Sequence, residues 1–427
     1  MKKKVVSIVI CFILCMGMFS LKAYAAVNLL KDSGFEENIT GETTPRSYFV
    51  DASEVPAWST SDPSNVIEIW YCPPGIGNGF TPGRPGGIEF NAHSGDWLAE
   101  INAHAPAILY QTVKAAPGAL YKWGIWHMGR NGTDVMQVLL GTPTHDGSIS
   151  EGTPLNPFES GAQVSSPLLS DNQDAWGPHM GYYTLPADFP ESTMQFQMEA
   201  VSSNGGQTDS IQLSMGNIID DAELYMIAEP FEKTIHVGEP EPTDEELADL
   251  INLDDEYACE IDQGTPFDGS VGRHDVTIDV KDADGNLIGT INSTFIVQST
   301  LKVKYVDENG ATLKDFPAVT YESPDVYTVT PPSGAISFNN TEYVYDKVYA
   351  GSDALTGTMD ADRNVILVLK PQSSTISAAA GDAENTGAEL PAAGNSNTLN
   401  YVFLCLIAGI ALTSGAIRHE AHKSNMK

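Results

Sequence analysis

From about residue 27 to 372 the chain is built of short runs in which apolar and polar residues alternate, each bounded by Gly, Pro, Asn or Asp. The spacing of a long amphipathic helix is almost absent, so the pattern predicts a mostly β protein. One short helix is expected at 243–251, where Thr243-Asp244-Glu245-Glu246 makes a capping box ahead of Leu247, Leu250 and Ile251. In Ile67-Glu68-Ile69-Trp70 the isoleucines should face a core, which puts Glu68 and Trp70 on the other side. In Ala99-Glu100-Ile101-Asn102 the same alternation leaves Glu100 and Asn102 there. Residues 120–138 read as two strands around the Asn131-Gly132 turn. Tyr121, Trp123 and Ile125 share the core face, and His127 continues their parity unless a bulge near Gly129 re-aims it.

The two ends follow a different pattern. Lysines at 2–4, an apolar run from Val5 to about Leu21, and the small residues Ala23 and Ala25 form a secretory signal peptide over 1–25. At the other end, 401–417 is an apolar transmembrane segment of about the minimum length, followed by a basic tail at 418–427. Just before it stands Leu390-Pro391-Ala392-Ala393-Gly394. The order of pentapeptide, apolar span and basic tail resembles the Gram-positive sortase sorting signal, with Ala393 where that signal usually has Thr. The resemblance implies cutting between Ala393 and Gly394 by a sortase and joining to the peptidoglycan of the cell wall. The plainer alternative is a C-terminal membrane anchor, and either places the body of the protein outside the cell.

Charge narrows the partners. The 427 residues hold 56 Asp+Glu against 22 Lys+Arg, a formal charge of −34, and several of the bases belong to the two ends. So anionic a surface repels phosphate backbones, which excludes nucleic acid, but it can gather Ca²⁺ through carboxylate oxygens. Outside the terminal segments the cysteines are Cys72 and Cys259, in different units, so neither a disulfide framework nor a thiolate metal site is expected.

All six tryptophans fall before residue 180, which marks 26–228 as an aromatic-rich unit. It opens with Asn28-Leu29-Leu30-Lys31-Asp32-Ser33-Gly34-Phe35-Glu36-Glu37 and closes with Ile219-Asp220-Asp221-Ala222-Glu223-Leu224-Tyr225. These stretches resemble the first and last strands of galactose-binding-like jelly rolls, a β-sandwich of many carbohydrate-binding modules. The resemblance implies that the two ends lie side by side and that a structural Ca²⁺ is held by Glu36 and Asp221; as solvated strand-end acids they would do neither. Residues 229–299, with Gly272-Arg273-His274-Asp275-Val276-Thr277-Ile278-Asp279-Val280 leading to an Asp282–Asn286 turn, resemble bacterial immunoglobulin-like modules. Residues 300–372, opening with Tyr305-Val306-Asp307-Glu308-Asn309-Gly310, resemble the small β-grasp-like modules of the mucin-binding-protein repeat family. A Ser, Ala, Gly and acid stretch at 373–389 reads as a flexible wall spacer.

The candidate chemistry lies in the first unit. If strands 67–70 and 99–102 are neighbours, Glu68, Trp70, Glu100 and Asn102, joined by His127 and Arg130, make a surface suited to sugar. An indole stacks on the apolar face of a sugar ring, and carboxylates and amides bond its hydroxyls. His127, Arg130 and Asp134 also fit a buried ion-paired turn. The expected function is adhesion through an extracellular glycan or glycoprotein, displayed on a stalk. The rivals are a non-binding structural surface protein and a glycan-cleaving enzyme, which requires two carboxylates across a cleft; no catalytic motif is present, and no catalytic residue is assigned.

Overall fold

The computed structural model describes residues 27–37, 46–55, 57–74, 91–141, 164–203 and 214–372. The signal peptide, spacer, sorting motif, apolar span and basic tail expected from the sequence all lie outside the described residues. Among the described residues no helix is long and apolar enough to cross a membrane.

The described chain is nearly all β. The first unit contains β1 (Arg46–Asp51), β2 (Ser59–Thr60), β3 (Val66–Tyr71), β4 (Trp97–Glu100), β5 (Ile108–Lys114), β6 (Leu120–Met128), β7 (Asp134–Gly141), β8 (Val164–Ser165), β9 (Leu169–Asp171), β10 (Gly177–Thr184), β11 (Thr193–Ser202) and β12 (Ile218–Ala228). One sheet runs in the order β1-β3-β4-β12-β6-β10, and the other β2-β5-β11-β7-β8, with β9 also paired to β7. Alternation along the strands fills the space between the two sheets. Ile67, Ile69, Trp97, Ala99, Tyr121, Trp123, Ile125 and Leu224 of the first sheet enter one core with Leu109, Val113, Met136, Val138, Leu140, Met194, Phe196 and Met198 of the second. Trp58 completes this core, which thus holds three of the six tryptophans. The opening segment lies beside β12 as its motif implies: Leu29 N donates to Leu224 O at 2.8 Å and Ala222 N to Ser33 O at 3.0 Å.

The Asn131-Gly132 turn is a correction. Its flanking strands are β6 and β7 as expected, but they belong to opposite sheets, so the turn crosses the sandwich instead of closing a hairpin. Buried Asp134 holds the crossing, accepting the Arg130 N–H at 2.7 Å and the Asn217 N–H at 3.0 Å through one oxygen.

The rest comprises β13 (Glu232–His236), α1 (Asp244–Leu250), β14 (Ala258–Ile261), β15 (Gly272–Lys281), β16 (Leu287–Val306), β17 (Thr312–Asp315), β18 (Val319–Tyr321), β19 (Val326–Thr328), β20 (Ile336–Phe338), β21 (Thr341–Val348), β22 (Thr356–Thr358) and β23 (Arg363–Pro371). The capping box at α1 forms in both directions, Thr243 bonding the Glu246 N–H and Glu246 the Thr243 N–H. The segments on either side of residue 299 are not joined by a linker. β16 runs unbroken across that position, pairing with β15 and β13 through its first half and with β23, β17 and β18 through its second. The sandwich also packs on the segment C-terminal to it: Leu120, Ile227 and Ala228 share a buried cluster with Leu247, Ile251, Ile278 and Phe295. Cys72 and Cys259 are buried free thiols.

Candidate functional site

β3 and β4 are neighbours, with Glu68 directly opposite Glu100. The alternation therefore brings the two acids together on the face away from the main core, and Arg130 joins them. One guanidinium nitrogen, Nη1, lies 2.9 and 3.0 Å from the two oxygens of Glu100 and 3.9 Å from Glu68 Oε1. Trp70 donates its indole N–H to Glu100 at 3.0 Å and lies under the guanidinium at 4.8 Å. The Gly216 N–H also donates to Glu100, at 2.5 Å. The four residues form one cluster, closed over by a second apolar layer of Trp70, Cys72, Ala92, Leu98, Met128 and Ile218. Glu68, Trp70 and Glu100 are buried, and the Arg130 side chain is 11% exposed. Burial, with the charge of Glu100, pushes the Glu68 carboxyl up to about 9 against the pull of Arg130. Burial also raises Glu100, its bonds to Arg130, Gly216 and Trp70 opposing the rise. One arginine faces two acids, and Glu68 Oε2 has no hydrogen-bond partner.

Asn102 and His127 stand apart from that cluster and meet each other through Asn217. Asn217 donates its side-chain N–H groups to Asn102 Oδ1 at 3.1 Å and Ser202 O at 3.2 Å, while its oxygen faces His127 Nε2 at 3.2 Å. His127 keeps the parity of Tyr121, Trp123 and Ile125 and is fully buried. Its Nδ1 lies 2.7 Å from Asp171. Burial works to raise Asp171, but hydrogen bonds from His127 and His179 outweigh it and the carboxyl is lowered.

Glu36 and Asp221 grip the same loop from two sides. Glu36 accepts the Asp96 and Trp97 N–H groups at 2.9 Å each, and Asp221 meets His93 Nδ1 at 2.6 Å and the Ser94 hydroxyl at 2.7 Å. Asp220 joins them by accepting the His93 N–H at 2.8 Å, and burial together with the charge of Asp221 pushes its carboxyl up to about 8. All three acids surround Gly34, where a Cβ would come within 3.3 Å of Asp221 Oδ1, 3.5 Å of Asp220 Oδ1 and 3.9 Å of Glu36 Cγ. Asp220 and Asp221 thus turn an oxygen towards Gly34, whereas Glu36 presents its Cγ there and spends Oε1 on the Asp96 and Trp97 N–H groups.

A second polar face lies outside the expectations from sequence. On the outer side of the second sheet, three cross-strand rows run over β5, β11 and β7: Ile108, Glu199 and Gln137; Tyr110, Gln197 and Leu139; Thr112, Gln195 and Gly141. Gln137 donates to Glu199, Gln197 to Gln195 at 2.7 Å, and Gln195 to Thr112 at 3.4 Å. The Gln197 oxygen has no partner. Ile108, Leu139, Gln195 and Gln197 are buried, Tyr110, Gln137 and Glu199 half-buried, and Thr112 exposed. Beside them, at β5, lies a cavity of about 360 Å³ lined by Leu29, Lys31, Ala57, Gln111, Thr112, Val113 and Lys114. The signal was in the sequence: Met194, Phe196 and Met198 alternate with Gln195, Gln197 and Glu199.

No family model matches the chain, and no curated protein does. Among solved structures it is similar to a carbohydrate-binding module described as "CBM4 structure and function", at 13% identity and a TM-score of 0.23, over 46% of this chain and 99% of that one. It is also similar to the CBM22-2 xylan-binding domain from Paenibacillus barcinonensis Xyn10C, at 10% identity and a TM-score of 0.27, over 42% and 98%. A third is a cyclase from Fischerella sp. TAU, at 16% identity and a TM-score of 0.30, over 47% and 96%.

Proposed function

We propose that the protein is a cell-surface glycan-binding protein. It would be exported by the segment 1–25, joined to the wall by a sortase acting at Leu390–Gly394, and would hold an extracellular glycan or glycoprotein on its N-terminal sandwich for adhesion. The observation that carries the reading is the polar face of β5, β11 and β7, where half-buried Tyr110, Gln137 and Glu199 and exposed Thr112 share rows with the buried Gln195 and Gln197. A tyrosine ring covers the apolar side of a pyranose, and carboxylate, amide and hydroxyl groups bond its hydroxyls. Glycan cleavage is less well supported, because the opposed carboxylates Glu68 and Glu100 are buried around Arg130 and do not flank a cleft.

A glycan-array screen followed by calorimetry tests the proposal. Tyr110→Ala and Glu199→Gln are each expected to weaken binding by about tenfold or more, equivalent to ~1.4 kcal/mol, with unchanged folding. Loss of binding in Arg130→Ala but not in those two would move the site to the face of Glu68, Trp70 and Glu100. No binding to any glycan by the folded chain would favour a purely structural surface protein.

Calcium has its own test. Ca²⁺ held by Glu36 and Asp221, with Asp220 beside them, would tie the opening segment, the 91–97 loop and the last strand of the sandwich together. Added Ca²⁺ is expected to raise the melting temperature and a chelator to lower it, as for any ligand of the native state alone. Asp221→Asn should abolish the difference, and a melting curve indifferent to Ca²⁺ in the unaltered chain would sink the assignment.

A further inference from the structure

His127, Asp171 and His179 meet where β10, the last strand of the first sheet, passes β9 of the second. His127 Nδ1 and His179 Nε2 point at the same oxygen, Asp171 Oδ2, from 2.7 and 2.6 Å. The three atoms lie within 4.8 Å of one another. β6 and β10 set the two rings on one face, with His127 opposite Gly177 and His179 opposite Ile125. Gly177 is required there, because a Cβ would stand 1.9 Å from Asp171 Oδ1. The Asp171 and His179 side chains are 16% and 23% exposed, which leaves a path from solvent.

Asn217 uses both of its side-chain N–H bonds on Asn102 and Ser202, so an amide oxygen is what faces His127 Nε2. A metal at Nδ1 leaves Nε2 its N–H for Asn217, whose oxygen then orients the ring and fixes the tautomer of the ligand.

We propose that His127, Asp171 and His179 form a three-ligand site for a divalent metal of the zinc class, with the remaining positions open to water or an outside ligand. Two imidazoles and one carboxylate select a borderline ion such as Zn²⁺ over Ca²⁺ or Mg²⁺, which prefer all-oxygen sets. A tetrahedral ion at ~2.0–2.2 Å holds its ligand atoms ~3.3 Å apart, so the present hydrogen-bonded contacts need widen by less than ~1 Å. The other histidine–carboxylate pairs of the described residues, at His93, His104, His236 and His274, each bring one ring only. Bound metal would pin β10 to β9 and so join the rims of the two sheets.

The test uses the full chain, prepared without a polyhistidine tag, stripped with chelator and held in excess Ca²⁺ to fill the acidic sites. Titration with Zn²⁺ is expected to show saturation at one ion per chain with micromolar or tighter affinity, and a raised melting temperature. Co²⁺ in its place should give the visible absorption of a nitrogen- and oxygen-liganded ion. His179→Gln and Asp171→Asn, each checked for folding by circular dichroism, should lose both signals, whereas His93→Gln should keep them. Absence of saturable Zn²⁺ uptake and of the Co²⁺ spectrum in the unaltered chain would overturn the proposal. Uptake unchanged in both variants would overturn it too.

Discussion

Arg130→Met is expected to destabilise the protein by about 3–5 kcal/mol at pH 8, the cost of breaking a buried ion pair from one side. The substitution keeps much of the side-chain volume and removes only the charge. It leaves Glu100, wholly buried, with the Trp70 and Gly216 N–H groups but without a counter-ion, and Glu68 with still less. Glu68, which burial keeps protonated at this pH, adds no charge of its own, so Glu100 is left as an uncompensated anion in a medium that screens it poorly. Protonation of Glu100 relieves that cost, so the loss should shrink at pH 5. Denaturant unfolding at both pH values measures it, and an equal loss at both would mean that Arg130 matters through packing alone.

The unaltered protein should become less stable as pH rises from 5 to 9. Glu68 has an ordinary value of 4.5 in the unfolded chain and about 9 in the folded one, chiefly through burial and the neighbouring charge of Glu100. The folded state then binds a proton that the unfolded state has released. The stabilisation is fully present below about 4.5 and is lost progressively as pH rises through about 9. Burial gives Asp220 a shift in the same direction, so the measured slope is shared. Glu68→Gln isolates the contribution of Glu68, because a neutral amide of the same shape has no proton to lose. The variant should match the parent near pH 5 and exceed it near pH 9 by unfolding midpoint. A variant weaker than the parent at every pH would show that the folded protein holds Glu68 ionised.

Alternation made much of the fold legible. Ile67 and Ile69 enter the core, β3 and β4 pair with Glu68 opposite Glu100, and the capping box at Thr243 starts a helix. Period-two patterning fixes which face a residue occupies, but it does not reveal what lies over that face. Alternation therefore sets Glu68, Trp70 and Glu100 on the face away from the main core, and it carries no sign of the Leu98, Met128 and Ile218 that pack with Trp70 there. Asn131-Gly132 announced a turn, yet the choice between hairpin and sheet crossing depends on the distant contacts of Asp134 with Asn217. The two module resemblances put a boundary between 299 and 300. In the fold Val297, Ser299 and Leu301 are buried in turn, and the Ser299 hydroxyl donates to Met359 O at 2.8 Å. The His127, Asp171 and His179 group unites residues far apart in sequence, and no local pattern marks it.

β16 has a mechanical consequence. At 20 residues it spans about 66 Å, at ~3.3 Å per residue, and it has parallel partners on two successive stretches: β13 along Thr294–Gln298 and β23 along Leu301–Val306. Tension that enters from the sandwich through β13 and leaves through β23 pulls the two partners in opposite directions along the axis of β16. The evenly spaced bonds of each parallel pair are then loaded together in shear and are not peeled apart one at a time. A head held against flow by such a strand would stay attached under a drag that would unzip a stalk of hairpins pulled from their open ends.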